Sequence, residues 1–77
     1  MNTQSYKDRI TVNPDIMLGK SIIKGTRITV ELILKKLSEG MTFEKLLAAY
    51  PHLTRDDVLA AISYSSDVIS QEEMIAT

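Results

Sequence analysis

The sequence predicts a mostly α domain: a three-helix core with the proportions of a helix-turn-helix, preceded by two or three short β-strands. Three observations lead there. The apolar pattern changes at Thr29 from alternation to the i, i+3, i+4, i+7 spacing of a helix. Gly40 and Pro51 then cut the helical pattern into three pieces, each opened by a threonine. With 77 residues, no Cys and one His, the chain is one small domain held by packing rather than by disulfides or a four-ligand zinc site.

Residues 1–8 are polar apart from Tyr6 and are expected to be a flexible lead. Residues 9–29 are the β segment. Arg9-Ile10-Thr11-Val12 alternates and stops at the turn signal Asn13-Pro14-Asp15, and Ser21-Ile22-Ile23 forms a second strand after Gly19-Lys20. Lys24-Gly25-Thr26 interrupts it, and Arg27-Ile28-Thr29-Val30 resumes the β-branched pattern. So small a sheet is marginal alone and needs helices or a second chain against it.

The first helix is expected at about 30–39, with Val30, Ile33, Leu34 and Leu37 on one face, Thr29 as its cap and Gly40 as its stop. The second runs over about 43–50, capped by Thr42, with Phe43, Leu46, Leu47 and Tyr50 in register and Pro51 preventing continuation. Thr54-Arg55-Asp56-Asp57 is a variant capping box that opens a third helix over about 55–70. Its stripe is Val58, Ala61, Ile62, Ser65 and Ile69, while Ala60, Ser63, Tyr64 and Asp67 face elsewhere. Residues 71–77 read as an acidic tail. Residues 9–70 thus make the single domain.

Charge divides the chain. Residues 1–37 carry seven basic groups against three acidic, a balance of +4, and residues 38–77 carry two against seven, a balance of −5. Such a dipole fits a basic face meeting an anionic partner, opposite ends of a dimer attracting each other, or plain solvated surface. No apolar run has signal-peptide or membrane-spanning length, so the expected setting is cytoplasmic, without membrane contact.

Few residues offer chemistry. Lys24-Gly25-Thr26-Arg27 reads first as a structural turn in which Gly25 supplies a positive φ and Arg27 pairs with the acidic half. The functional alternative places Lys24 and Arg27 against phosphate or a partner carboxylate. Lys20, Lys35 and Lys36 join them as anion-contact candidates, against the plainer reading of Lys35 and Lys36 as a solvated helix face. His52 has no second ligand or nucleophile at motif spacing, and Ser63, Ser65 and Ser66 have no activating base. No cofactor, metal or catalytic constellation is therefore expected, and the chain reads as a non-enzyme. The third helix offers Arg55 as its one base-reading arginine among several acids, a poor groove reader, so Ala60, Tyr64 and Asp67 are assigned to a protein partner. DNA affinity, if present, would be phosphate-driven and centred on the basic half.

The segment Gly19-Lys20-Ser21-Ile22-Ile23-Lys24-Gly25-Thr26-Arg27-Ile28-Thr29-Val30, with Gly40-Met41-Thr42 and Tyr50-Pro51-His52-Leu53-Thr54 downstream, resembles the domain-of-unknown-function family 433. Residues of about 10–66 fit its pattern, the departure being Ser21 where proline is usual. The resemblance implies a homeodomain-like helical domain of bacterial or archaeal origin. It further implies an antitoxin of a type II toxin–antitoxin pair, masking a PIN-like ribonuclease toxin and acting on its own operon. Two other readings stand beside it: a stand-alone dimeric DNA-binding regulator, and a structural dimerisation module. A homodimer is expected, because the β appendage would otherwise expose Ile10, Val12, Ile22, Ile23 and Ile28.

Overall fold

The computed structural model describes Tyr6 and residues 8–76, with residues 72–76 described through their backbone. The order of elements is β1 (Ile10–Val12), β2 (Ser21–Ile23), α1 (Val30–Ser38), α2 (Phe43–Ala49) and α3 (Arg55–Ala76). This is a mostly α fold, three helices preceded by two short antiparallel strands. In the sheet Ile10 pairs with Ile23, Thr11 with Ile22 and Val12 with Ser21. The third β segment is reduced to a single bridge between Ile22 and Thr29, because Thr29 is already the cap of α1 and the chain turns helical at Val30.

Each helix starts on a threonine whose hydroxyl satisfies an orphan amide of the first turn. Thr29 Oγ1 accepts from the Leu32 N–H at 3.0 Å, Thr42 Oγ1 from Lys45 at 3.1 Å and Thr54 Oγ1 from Asp57 at 3.1 Å. The Asp57 carboxylate returns the bond to the Thr54 N–H at 3.0 Å, which closes a full capping box. Helix α1 ends in a Schellman motif: Gly40 has φ +95°, its N–H donates to Leu37 O at 3.0 Å, and Met41 N–H donates to Lys36 O at 3.1 Å. Helix α2 stops at Ala49, with Tyr50 at φ −127°, ψ 84°, outside the helical region that a following proline disfavours.

The apolar faces close on one core of Ile23, Val30, Ile33, Leu46, Leu53, Val58 and Ala61, with Ile10, Ile28 and Phe43 among the half-buried residues packed around it. Ile22, Ile23, Ile33, Leu46 and Val58 are the largest fully buried side chains. The hairpin is thus roofed by helices: Ile22 and Ile23 are each 1% exposed, and of the five apolar residues expected on an open sheet edge only Val12, at 57%, is largely bare.

Two boundaries differ from the sequence expectation. Helix α3 continues to Ala76 rather than ending near Ser70, since no glycine or proline follows and Gln71, Glu72, Glu73, Met74 and Ala76 all favour helix. In the expected flexible lead, residues 1–5 and 7 lie outside the described residues, whereas Tyr6 is docked. Its ring meets that of Tyr64 edge-on at 5.8 Å, and its carbonyl accepts from the Arg9 N–H at 2.9 Å.

Candidate functional site

The basic half of the chain forms a hairpin tip whose shape follows from two residues. Gly25 takes φ +82°, a conformation open to glycine without strain. Thr26 then clips the turn shut: its N–H and its Oγ1 both donate to the Ile23 carbonyl, at 3.0 and 2.8 Å, while the same hydroxyl accepts from the Ile28 N–H at 3.0 Å. Lys24 and Arg27, on either side, are left exposed. Beside them is an open concavity of about 600 Å³ lined by Arg27, Thr26, Gly25, Asn13, Thr11, Ile16 and Ile22.

The five candidate cations do not share one state. Lys20 Nζ donates to Glu31 Oε1 at 2.8 Å, and this hydrogen bond, with the ammonium charge, holds the Glu31 carboxyl below its ordinary range. Lys35 pairs with Glu39 one turn along α1 at 3.7 Å. Among the described residues, Lys24, Arg27 and Lys36 form no ion pair. Arg27 therefore does not make the expected bridge to the acidic half. Arg9 takes that role, reaching Asp57 at 3.0 Å and Asp56 at 3.6 Å, because β1 runs past the start of α3.

The flank of α3 assigned to a partner is mostly occupied by the chain itself. Ala60 is 4% exposed and packed inside, a correction to its placement on the surface: the helical wheel alone leaves it bare, and neighbouring segments of the fold cover it. Tyr64 is half-buried, with its hydroxyl 2.7 Å from Ser21 Oγ. Asp67 accepts from the Tyr6 hydroxyl at 2.7 Å, which raises the Tyr6 pKa above its ordinary value, burial and the negative charge adding to the effect. Arg55 stacks over the Phe43 ring at 5.0 Å from its centroid, so the one arginine of α3 is also engaged.

Sequence reasoning missed Tyr6, Arg9, Ser21 and Thr26 as structural partners. Tyr6 carried a signal, being the one large apolar group in a polar lead. Ser21 stands where the resemblance expects proline, which has neither the hydroxyl that meets Tyr64 nor a backbone N–H. The remaining structural residues lie where the chain turns: Thr29, Thr42 and Thr54 at helix starts, Gly40 after α1, Pro51 after α2.

Among the described residues no three His, Cys, Asp or Glu side chains gather as a metal site, and no buried side-chain polar atom lacks a hydrogen-bond partner. No helix among them is long and apolar enough to cross a membrane.

Comparison with known proteins places these features in a family. The model of DUF433, described as "Protein of unknown function (DUF433)", matches residues 10–65, from β1 to the middle of α3. The chain is 29% identical over 59 residues to the uncharacterized protein y4eO of Sinorhizobium fredii (strain NBRC 101917 / NGR234), a match that covers 77% of this chain and 27% of that protein. It thus spans only about a quarter of the length of this relative. The crystal structure of a DUF433 member from Anabaena variabilis ATCC 29413 superposes with a TM-score of 0.78 at 32% identity, covering 96% of this chain and 74% of that one. With the family pattern running through β1, the hairpin tip and all three helices, the chain belongs to the DUF433 family.

Proposed function

We propose that this chain is a non-catalytic, antitoxin-like binding module that acts in the cytoplasm and masks an acid-rich, PIN-like ribonuclease toxin by protein contact. The observation that carries the reading is the hairpin tip: Lys24 and Arg27 stand exposed on either side of the Gly25 turn, without an ion-pair partner among the described residues. Lys20 and Lys35, by contrast, already hold acids of their own chain. A nuclease that binds metal through carboxylates presents a negative surface, and an arginine fork is suited to a carboxylate. The three helices are read as a homeodomain-like, helix-turn-helix core that carries the tip, and the module as a homodimer.

The same cations would suit phosphate, so action on the toxin's own operon, or a stand-alone regulator, would use this surface too. The acids of α3 and the engagement of Arg55 favour a protein partner over base reading.

The test is co-expression with the product of the adjacent reading frame, which this reading expects to be a short, acid-rich PIN-like protein. A complex in 1:1 stoichiometry that protects cells, and is weakened at least tenfold by the double variant Lys24→Ala/Arg27→Ala, supports the reading. Failure to co-purify, with salt-steep DNA binding instead, would replace it by the regulator. Loss of the complex in Tyr64→Ala/Asp67→Ala but not in the tip variant would move the contact to α3.

A further inference from the structure

Ile22 and Ile23 are equally buried, at 1% exposure each, but for different reasons. Ile23 belongs to the helical core and Ile22 does not. The strand register explains the split. Ile10 lies opposite Ile23 and Thr11 opposite Ile22, and successive side chains of a strand point to opposite faces, so Ile22 and Thr11 share the face of the hairpin turned away from the core. On that face Ile22, with Ile16 beside it, forms the apolar floor of the concavity next to the tip.

Both walls of the concavity are held by hydrogen bonds of their own. On one side the Asn13 Oδ1 accepts from the Asp15 N–H at 2.9 Å, and the Asn13 carbonyl accepts from the Ile16 N–H at 2.9 Å. On the other side Thr26 clips the Gly25 turn to the Ile23 carbonyl. What the walls offer is donors. Arg27 is exposed and forms no ion pair among the described residues, where the Asn13 amide nitrogen and the Thr11 hydroxyl also have no partner. The charge is local and of one sign: Arg27 lines the concavity, no acidic side chain does, and the exposed Asp8 and Asp15 lie outside the lining.

We propose that this concavity is a carboxylate site whose ligand is a glutamate side chain of an acidic protein partner. Arg27 supplies a two-pronged fork for the carboxylate, and Asn13 and Thr11 supply neutral donors. The two methylenes of the glutamate lie on the isoleucine floor, where each buried CH₂ is favourable. Phosphate fits less well, because a phosphomonoester carries about −1.5 to −2 charge, whereas one cation lines the concavity and its floor is apolar. The walls are fixed before the ligand arrives, so little ordering is left to oppose binding. This assignment rests on the reading of the tip as a surface for an acidic protein, and it gives the two exposed cations different roles. Arg27 seats the ligand; Lys24, which does not line the concavity, only attracts it from a distance.

The test is a titration of the full 77-residue chain with a blocked pentapeptide of glutamates, followed by backbone amide NMR at low salt. The glutamine pentapeptide and inorganic phosphate are the controls. Saturable shifts centred on Thr11, Asn13, Gly25, Thr26 and Arg27 are expected with the glutamate peptide and none with the glutamine one. Arg27→Gln weakens binding by about tenfold or more, as loss of a charged hydrogen bond does. Lys24→Gln, which removes only distant attraction, weakens it by no more than about threefold. Ile16→Ser, with unchanged helical circular dichroism, weakens it by about threefold through the lost apolar contact. The proposal is overturned by an absence of shifts at millimolar peptide, by non-saturating shifts spread alike over Lys20, Lys24, Lys35 and Lys36, by phosphate binding the concavity more tightly than the peptide, or by Arg27→Gln binding like the wild type. Its failure is distinct from failure of the masking function. Peptide binding without a complex with the adjacent-frame protein removes the toxin and leaves the site, whereas a complex weakened by Lys24→Ala but indifferent to Arg27→Ala keeps the tip as the contact and overturns the site.

Discussion

Arg9 donates through Nη1 to Asp57 Oδ1 at 3.0 Å, joining the start of β1 to the first turn of α3 across 48 positions of sequence. The other oxygen of Asp57 accepts from the Thr54 N–H, so one buried carboxylate caps the helix and anchors the hairpin to it. Acidic side chains in a first helical turn also meet the positive end of the helix dipole, which adds a third favourable interaction at Asp57.

Asp57→Ala is expected to destabilise the domain by about 2–3 kcal/mol, because it removes the returning half of the capping box together with a charged hydrogen bond. Arg9→Ala removes only an ion pair whose arginine is 38% exposed, and solvent screening limits that loss to about 1 kcal/mol or less. Urea denaturation of the two variants measures both. An Arg9 variant as damaged as the Asp57 variant would mean that the anchor, not the cap, dominates.

Thr42→Ala should cost about 0.5–2 kcal/mol through loss of the bond to the Lys45 amide. Gly40→Val should cost about 1–2 kcal/mol. Nothing lies within 4 Å of where a Cβ would stand at Gly40, so that penalty is backbone strain at φ +95° and not a clash. Gly40→Asn, which tolerates the left-handed region better, is accordingly expected to be milder. Denaturation midpoints check the order of the three.

The Tyr6 phenol is expected to titrate above the ordinary tyrosine value of about 10, since Asp67 accepts its proton in a hydrogen bond and the nearby negative charge disfavours the phenolate. The folded-state pKa is raised, so this link contributes below the unfolded tyrosine pKa and is lost as pH rises through the folded value. Phenolate absorbance or NMR should show the Tyr6 midpoint falling back in Asp67→Ala, and Tyr6→Phe should remove the step. A Tyr6 midpoint unchanged by Asp67→Ala would mean that the hydrogen bond is absent in solution.

Leu46→Ala removes a fully buried side chain at the meeting of α2 with the core and should cost about 2–5 kcal/mol, a large share of the stability of so small a domain. Leu59→Ala, on the 44% exposed side of α3, should fall within about 0.5 kcal/mol of wild type. Thermal or urea unfolding distinguishes them.

The starts of all three helices, the stop after α1 and the break at Pro51 were legible in the sequence because their causes are local. A hydroxyl three residues before the amide it caps, a glycine free to take positive φ and a proline that restricts its predecessor act within one turn of chain, whatever surrounds them. The apolar period likewise placed Ile33, Leu46 and Val58 in the core. The length of α3 was misread because its amphipathic stripe fades near Ser70 while helix propensity continues to Ala76. Tertiary structure alone decided which charges were taken and which stayed open, since the choice depends on partners far away in sequence. Arg9 rather than Arg27 lies beside Asp57, and Tyr6 reaches Asp67 across 61 positions. Packing also buried Ala60 and held Leu18 out in a left-handed turn, two outcomes set by where neighbouring segments run and so beyond the reach of any local pattern.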